Sequence, residues 1–157
     1  MSLTEYRRKR DFKRTSEPKG AVVRKKPKAL TFVVQHHRAS HEHDDFRLEL
    51  DGVLKSWAVP KRVSRTKGVR RLAIEVEDHP LGYATFEGTI PKGEYGAGTV
   101  KRWDHGTWEC DGDPREGLEQ GKLVFTLHGE KLKGRWALVR IEEGSKPQWL
   151  LMRKAAP

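Results

Sequence analysis

The chain contains 157 residues, of which 32 are Lys or Arg and 22 are Asp or Glu, so its formal net charge is +10. A chain of this length fits one domain that buries its core without disulfide bonds, and the single cysteine, Cys110, excludes an internal disulfide and a thiolate metal cluster. No apolar run reaches the roughly 20 residues of a membrane-spanning helix, so we expect a cytoplasmic protein that has no membrane partner.

Most of the positive charge is concentrated at the N-terminus. Residues 1–28 contain eleven Lys or Arg and three acidic residues, a net charge of +8, whereas residues 29–157 contribute only +2. This distribution predicts a basic, flexible N-terminal arm at 1–28 in front of a single domain at 29–157. A solvated tail without a partner is the alternative interpretation of such an arm.

A second basic cluster lies inside the domain and favours a polyanion as the partner. Six Lys or Arg fall between residues 61 and 71, and no acidic residue interrupts them. Because basic side chains that neutralise phosphates release condensed counterions, such clusters are typical of nucleic-acid binding. We therefore expect a nucleic-acid backbone to run along residues 61–71.

Alternating apolar residues predict short strands along the domain. Residues 28–37 predict the first strand, and residues 46–59 predict a β-hairpin around Asp51-Gly52. An Asp-Gly pair tolerates the positive φ angles of a two-residue type I′ turn. In the resulting register Arg47 lies opposite Ser56.

The rest of the chain continues this pattern. Further strands are predicted at 71–78, 85–90, 98–103, 107–110, 122–127, 135–141 and 149–153, and one short helix is predicted at 114–120. In the first of these strands we expect Leu72, Ile74 and Val76 to point inward. Short strands separated by Gly, Pro and Asp predict an all-β, single-domain, closed or nearly closed antiparallel β-barrel.

The first strand of the hairpin carries the strongest candidate site. Side chains two residues apart share one face of a strand, so His43, Asp45 and Arg47 lie together, opposite to Phe46 and Leu48. Neighbours on that face lie roughly 6.6 Å apart along the chain, which allows the imidazole and the carboxylate to bind one ion. A guanidinium beside a metal ion suits an anionic phosphate.

Two interpretations of these histidines stay open on the residues alone. Four of the seven histidines fall within eight residues, which favours a metal site, and His37 supplies a third ligand if the chain bends near Ala39 and Ser40. In the alternative interpretation, the polar face of this strand simply lies in solvent, as it does in many half-exposed strands.

His79 is a second candidate, because it ends a charged stretch just before a proline. An imidazole at such a turn is suited to protonate a departing oxygen or to donate to a phosphoryl group. Tyr83 follows four residues later and could add a hydroxyl donor. The alternative interpretations are a plain turn histidine and a core tyrosine.

Several blocks of the sequence resemble the 3′-phosphoesterase family, which comprises the end-healing module of bacterial DNA ligase D and stand-alone relatives. The blocks are Phe32-Val-Val-Gln35, Asp45-Phe-Arg-Leu-Glu49, Gly52–Lys61, Val76–Leu81, Phe86-Glu-Gly88 and Tyr95-Gly-Ala-Gly98. The resemblance implies a β-barrel enzyme that depends on manganese, or on another divalent transition metal, and acts on the 3′ ends of primer-template DNA or RNA. It further implies that a 3′-terminal ribonucleoside is removed first and that the remaining 3′-phosphate is then hydrolysed to a 3′-hydroxyl.

The resemblance also implies roles for individual residues. The metal ligands are His37, His43 and Asp45, the catalytic residues are Arg47, His79 and Tyr83, and the substrate phosphate contacts Arg47, His79, Lys61, Arg71 and Gln35. Residues 42–46 read Glu-His-Asp-Asp-Phe where the family usually has Leu-His-Tyr-Asp-Phe. This departure leaves the metal preference and the balance between the two reactions open.

The resemblance places the protein in DNA repair by non-homologous end joining. The expected partners are nucleic-acid 3′ ends together with the ligase and polymerase domains of a DNA ligase D, or with separate repair proteins. One alternative is a non-catalytic module that binds nucleic acid or docks onto a ligase. Another is a phosphodiesterase that acts on RNA ends in repair.

Overall fold

Eight antiparallel strands close into a barrel in the computed structural model, which describes residues 3–18, 20 and 29–155. The strands are β1 Leu30–Arg38, β2 Glu42–Leu50, β3 Val53–Val59, β4 Arg71–Pro80, β5 Gly88–Ile90, β6 Gly98–Glu109, β7 Lys122–Gly129, β8 Lys133–Glu142 and β9 Gln148–Arg153. Their order around the barrel is β1-β2-β3-β4-β9-β8-β7-β6, and β6 pairs back onto β1. The ninth strand, β5, adds to β6. The predicted all-β barrel is confirmed.

The barrel interior is filled by residues from all eight strands of the ring. Alternation along each strand sends one set of side chains inward, and this set forms one continuous apolar core. Its largest members are Phe32, Phe46, Trp57, Trp108, Phe125, Trp136 and Trp149. The side chains on the outer face of β1–β4 are therefore not needed for this core.

The predicted hairpin has the expected turn and register. Asp51 and Gly52 have φ angles of 52° and 82°, as a type I′ turn requires. Arg47 pairs with Ser56 across the two strands. The inward face of β2 carries Phe46, as the alternation predicts.

Three strand predictions need correction. The strands predicted at 98–103 and 107–110 form one strand, β6, because its two ends pair with β5 and β7 while β1 runs along its other edge. The strand predicted at 85–90 starts only at Gly88, because Leu81–Thr85 forms a 3-10 turn.

The inward residues of β4 were also predicted on the wrong face. Ala73 enters the core, whereas Leu72 is 37% exposed and Val76 lies on the outer face. Ala73 pairs with Trp149, whose indole fills the interior at that level. The space beside so large a side chain takes a methyl group, so the bulkier residues of β4 face outward.

Two helices accompany the barrel. The predicted helix α2 spans Pro114–Gln120, with Asp113 accepting from the backbone N–H of Arg115 at its N-terminus. The sequence did not predict helix α1, Thr4–Arg8. No helix within the described ranges is long and apolar enough to cross a membrane.

The prediction of a flexible arm is wrong for residues 3–18. Tyr6 is completely buried in an apolar cluster on the outer face of the barrel, together with Val33, Leu54 and Tyr83. Its hydroxyl donates to the carbonyl of Pro18. Residues 1–2, 19 and 21–28 of the predicted arm lie outside the described residues.

Gly106 lies where β6 pairs with both β1 and β7. The close approach of the backbones there predicts that position 106 requires glycine. A Cβ there would press against the backbone carbonyl oxygen of His128, so we expect Gly106→Ala to lower the free energy of unfolding by about 2 kcal/mol or more. Urea unfolding monitored by tryptophan fluorescence measures this. Gly82→Ala is the matched control, because its Cβ would meet only ordinary contacts with Pro18. Equal, small decreases in both variants would contradict the prediction.

Candidate active site

Six of the predicted site residues gather at the outer face of the barrel wall formed by β1–β4: His37, His43, Asp45, Arg47, His79 and Tyr83. They line a cavity of about 300 Å³, hereafter the first cavity. Strands β1, β2, β3 and β4 supply its floor. The N-terminal segment, the 3-10 turn and the loop after β5 cover it with Arg10, Tyr83, Tyr95 and Gly96. The polar face of β2 is thus enclosed by protein, and the solvent-exposed alternative does not apply to Asp45.

Three potential metal ligands converge at one end of the first cavity. His37 pairs directly with His43 across β1 and β2, and donor atoms of His37, His43 and Asp45 all lie within 4.8 Å of one another. The chain reverses between Arg38 and Glu42. It is this hairpin pairing that brings His37 to the other two residues.

The hydrogen bonds of the two imidazoles orient them for a cation. His37 Nε2 lies 2.7 Å from the carbonyl oxygen of Gly96, so Nε2 carries the proton and Nδ1 presents a lone pair. That Nδ1 faces Asp45 Oδ2 at 3.6 Å, and His43 Nε2 lies 3.1 Å from Asp45 Oδ1. A divalent cation bound by both groups would satisfy the lone pair and the carboxylate. The donor set therefore fits a divalent metal ion.

Asp45 is held in its charged form. Burial alone would raise its pKa, but the charge of Arg47 and the neighbouring imidazoles of His37 and His43 outweigh burial, and the pKa lies far below its usual range. Arg47 Nη2 is 3.5 Å from Asp45 Oδ2. A permanently ionised carboxylate is the form that binds a metal ion.

Buried hydrogen bonds through Gln35 fix the position of Arg47. Gln35 Oε1 accepts from Arg47 Nε at 2.7 Å, and the amide of Gln35 donates to the carbonyls of Tyr83 and Phe86 at 2.6 and 3.1 Å. The guanidinium also lies over the Tyr83 ring, with Cζ 4.9 Å from its centroid. Gln35 itself is fully buried behind Arg47 and does not line the first cavity.

A bulge in β4 brings His79 to the same face. Ser56 pairs with Val76 and Leu54 pairs with His79, so two residues of β4 oppose the single Lys55 of β3. The extra residue reverses the alternation, which turns His79 toward Arg47. Its Nδ1 donates to the carbonyl of Glu77 at 2.9 Å.

His79 is neutral in this environment. Burial, together with the charges of Arg47 and Arg10, holds its pKa well below the usual range. Because Nδ1 donates to Glu77, Nε2 keeps its lone pair and accepts from Arg10 Nη2 at 3.3 Å. The imidazole is thus a hydrogen-bond acceptor between two guanidinium groups.

The N-terminal segment supplies two site residues that the sequence did not reveal. Arg10 Nε donates to Glu17 Oε2 at 2.9 Å, and the hydroxyl of Tyr83 donates to the same oxygen at 2.8 Å. Burial raises the pKa of Tyr83, so its hydroxyl stays protonated. Arg10 and Glu17 were missed because they stand in a run of charged residues that has no apolar periodicity.

Comparison with known proteins decides the family. The model of the DNA ligase D 3′-phosphoesterase domain matches residues 35–140. The chain belongs to this family. It is 58% identical over 153 residues to the multifunctional non-homologous end joining protein LigD of Pseudomonas aeruginosa, covering 96% of this chain and 18% of that protein.

Two further members of the family show the same relation. The chain is 48% identical to the multifunctional non-homologous end joining DNA repair protein LigD of Mycobacterium tuberculosis, over 96% of this chain and 19% of that protein. It is 44% identical to the multifunctional non-homologous end joining protein LigD of Mycolicibacterium smegmatis, over 88% of this chain and 19% of that protein. The chain thus spans about a fifth of the length of the relatives it matches.

Besides Gln35, two further residues that the family resemblance assigned to the phosphate lie outside the first cavity of this 3′-phosphoesterase domain. Lys61 is exposed in the turn after β3, and Arg71 begins β4 opposite Leu151. Neither lines the cavity. Both belong to the basic segment, residues 61–71, whose start is anchored by the buried Asp44.

Asp44 is one of the acids by which this 3′-phosphoesterase domain departs from its family pattern. It accepts from Arg62 Nε at 3.1 Å and from the backbone N–H of Val63 at 2.9 Å. His36 Nδ1 lies 3.2 Å from the same carboxylate. The additional acid therefore fixes the basic segment and does not join the ligand cluster.

The neutral state of His79 predicts a pH dependence of stability. The unfolded chain binds a proton at His79 below pH 6.5, whereas the folded chain resists it because its pKa is lowered. Stability is therefore complete above about pH 6.5 and falls as the pH decreases, by at most about 1.4 kcal/mol per pH unit. Urea unfolding in a chelator at pH 7.0 and 5.5 should show a decrease about 1 kcal/mol smaller in His79→Gln than in the parent chain. Equal decreases would contradict a neutral His79.

Proposed function

We propose that this domain is a metal-dependent phosphoesterase that acts on the 3′ ends of primer-template DNA or RNA. It removes a 3′-terminal ribonucleoside to leave a 3′-phosphate, and then hydrolyses that phosphate to a 3′-hydroxyl. The observation that carries the proposal is one cavity that holds both a three-ligand cluster and a buried guanidinium. The cluster binds a cation, and the guanidinium binds an anion.

The ligand cluster supports manganese as the ion. Two imidazoles and one carboxylate, His37, His43 and Asp45, offer mixed nitrogen and oxygen donors, which suit divalent transition metals. When bound, such an ion polarises a phosphoryl oxygen as a Lewis acid. The remaining chemistry is performed by the residues around it.

Arg47 is positioned before a phosphate arrives. Gln35 fixes the orientation of the guanidinium through its Nε, and Arg47 lies 3.5 Å from the ligand Asp45. A planar guanidinium pairs with two phosphate oxygens at once. Because its direction is already set, it stabilises developing negative charge without reorganisation.

His79 changes its role when a phosphate is bound. A proton on His79 is unfavourable between the guanidiniums of Arg47 and Arg10, but the negative charge of a phosphate in the first cavity offsets them. His79 then takes a proton from solvent and donates it to the departing oxygen. Tyr83 stays protonated and supports Arg47, so we propose water as the attacking group.

The basic segment, residues 61–71, provides the path for the nucleic-acid strand. Ala58 lines the first cavity, and the segment starts three residues later. Its six cations carry no acid among them. We further propose that the domain works in end joining with ligase and polymerase domains, or with separate repair proteins.

Removing the carboxylate of the cluster tests the reaction. We expect Asp45→Asn to lower phosphate release from a 3′-phosphorylated primer-template by at least about 100-fold, because the cluster loses its only anionic ligand. Calorimetric titration with Mn²⁺ should show that metal binding is abolished as well. Asp111→Asn, an exposed site, is the control and should match the parent chain.

The same assay distinguishes the alternative function. If the duplex binds in a salt-dependent manner and no phosphate is released with any divalent metal, the domain is a non-catalytic binding or docking module. Undiminished turnover by Asp45→Asn would refute the proposed cluster.

Removing charge from the basic segment should change the salt dependence of duplex binding. Replacing Arg65 and Lys67 by Ala should weaken duplex binding and reduce the slope of log K against log salt by about 0.9 for each phosphate that is no longer neutralised. Fluorescence anisotropy at several salt concentrations measures the slope. The control pair, Lys122→Ala with Lys133→Ala, is exposed on β7 and β8 across the barrel. An equal change in both pairs would show that only total charge matters.

A further inference from the structure

A second cavity of about 460 Å³ adjoins the first. The two cavities share Val76, Glu77 and Tyr95 as lining residues, so they lie side by side along β4. A volume of this size is within the range of cavities that bind small molecules. None of the steps described above uses this space.

Tyr95 stands at the border between the two cavities. Its side chain is one of the few large hydrophobic groups that are exposed in the described residues, at 46%. The next residue, Gly96, accepts the hydrogen bond of the metal ligand His37. Lys9 Nζ lies 4.6 Å and Arg10 Cζ 5.4 Å from the centroid of the Tyr95 ring. An exposed aromatic ring beside a phosphate site is a natural surface for a base to stack on.

The charges of the second cavity are unlike those of the basic segment. Four carboxylates and three lysines line it: Glu5, Glu75, Glu77, Asp78, Lys9, Lys55 and Lys146. Lys9 pairs with Glu77 at 3.0 Å, and Lys55 pairs with Asp78 at 2.9 Å. The second cavity thus lacks the net positive charge by which the basic segment attracts the polyanionic backbone of a primer. The second cavity therefore suits a polar group that carries no phosphate.

We propose, on the basis of the function proposed above, that the second cavity receives the nucleoside that departs from the 3′ end, with its base stacked on Tyr95. In this reaction the oxygen of water bonds to phosphorus, the bond from phosphorus to O5′ of the terminal nucleoside breaks, and that O5′ gains a proton. The primer keeps the phosphate, so the departing nucleoside is uncharged.

The carboxylates of the second cavity suit the sugar of this nucleoside. Sugar hydroxyls are donors, and each carboxylate offers about four acceptor positions. Glu75 accepts from Trp149 Nε1 at 2.9 Å, which holds it at the cavity wall. The nucleoside thus meets an aromatic surface for its base and acceptors for its hydroxyls.

The test compares two substrates of the same domain. One is a primer-template that ends in a ribonucleoside joined by a 3′-5′ diester, and the other ends in a 3′-phosphate. Tyr95→Ala should lower the ratio of diester cleavage to phosphate release by about tenfold, the effect of removing one ring on which a base stacks. Tyr95→Phe, which keeps the ring, should restore the ratio to within about twofold of the parent chain. Ile141→Ala, exposed on β8 and outside both cavities, should leave both rates unchanged.

A direct measurement accompanies the rates. Free adenosine should inhibit diester cleavage by the parent chain, and the inhibition should weaken in Tyr95→Ala. An equal decrease of both reactions in Tyr95→Ala would overturn the inference, because Tyr95 would then act only by supporting Gly96 and His37. No decrease in either reaction would overturn it too. A parent chain that releases no phosphate with Mn²⁺ would instead refute the proposed function itself.

Discussion

The register between β1 and β2 is the constraint on which the rest of the structure depends. It pairs His37 with His43 and Gln35 with Asp45, and the adjacent pair Val34 and Phe46 enters the core. A slip of one residue would exchange the two faces of a strand. Burial of the apolar face therefore also fixes the positions of His37, His43 and Asp45.

Burial of charge is the second constraint, and it explains the N-terminal segment. Asp45, Arg47 and His79 are buried, and an unpaired charge is costly in a buried position. The segment brings Arg10 and Glu17, which pair with each other and contact His79 and Tyr83. Residues 3–18 of the basic stretch that looked like a free arm are in this way part of the wall of the site. Lys9 and Arg10 pair with Glu77 of β4.

The sequence predicted those features that depend on neighbouring residues. The Asp51-Gly52 turn defines a hairpin, and the hairpin defines which side chains of β2 share a face, so Asp45 and Arg47 were placed correctly. Features that depend on distant residues were not accessible. The packing of Tyr6 requires an outer surface built from four strands, β1, β3, β5 and β6, and the 3-10 turn. The position of Gln35 behind Arg47 requires the carbonyls of Tyr83 and Phe86. The inward turn of Ala73 follows from the size of Trp149 and not from periodicity.

Because of the bulge in β4, the position of His79 depends on the number of residues in this strand more than on which residues form the bulge. Two residues, Glu77 and Asp78, occupy the space opposite one residue of β3. If either were deleted, the bulge would be lost and the side chain of His79 would turn into the apolar core of the barrel. Val76 would stay on the outer face. Exchanging the side chain of Asp78 would break its ion pair with Lys55 but would keep the extra residue that makes the bulge. In a lineage of such domains, insertions and deletions would accordingly be confined to the connections between strands, and this stretch of β4 would change only by replacement.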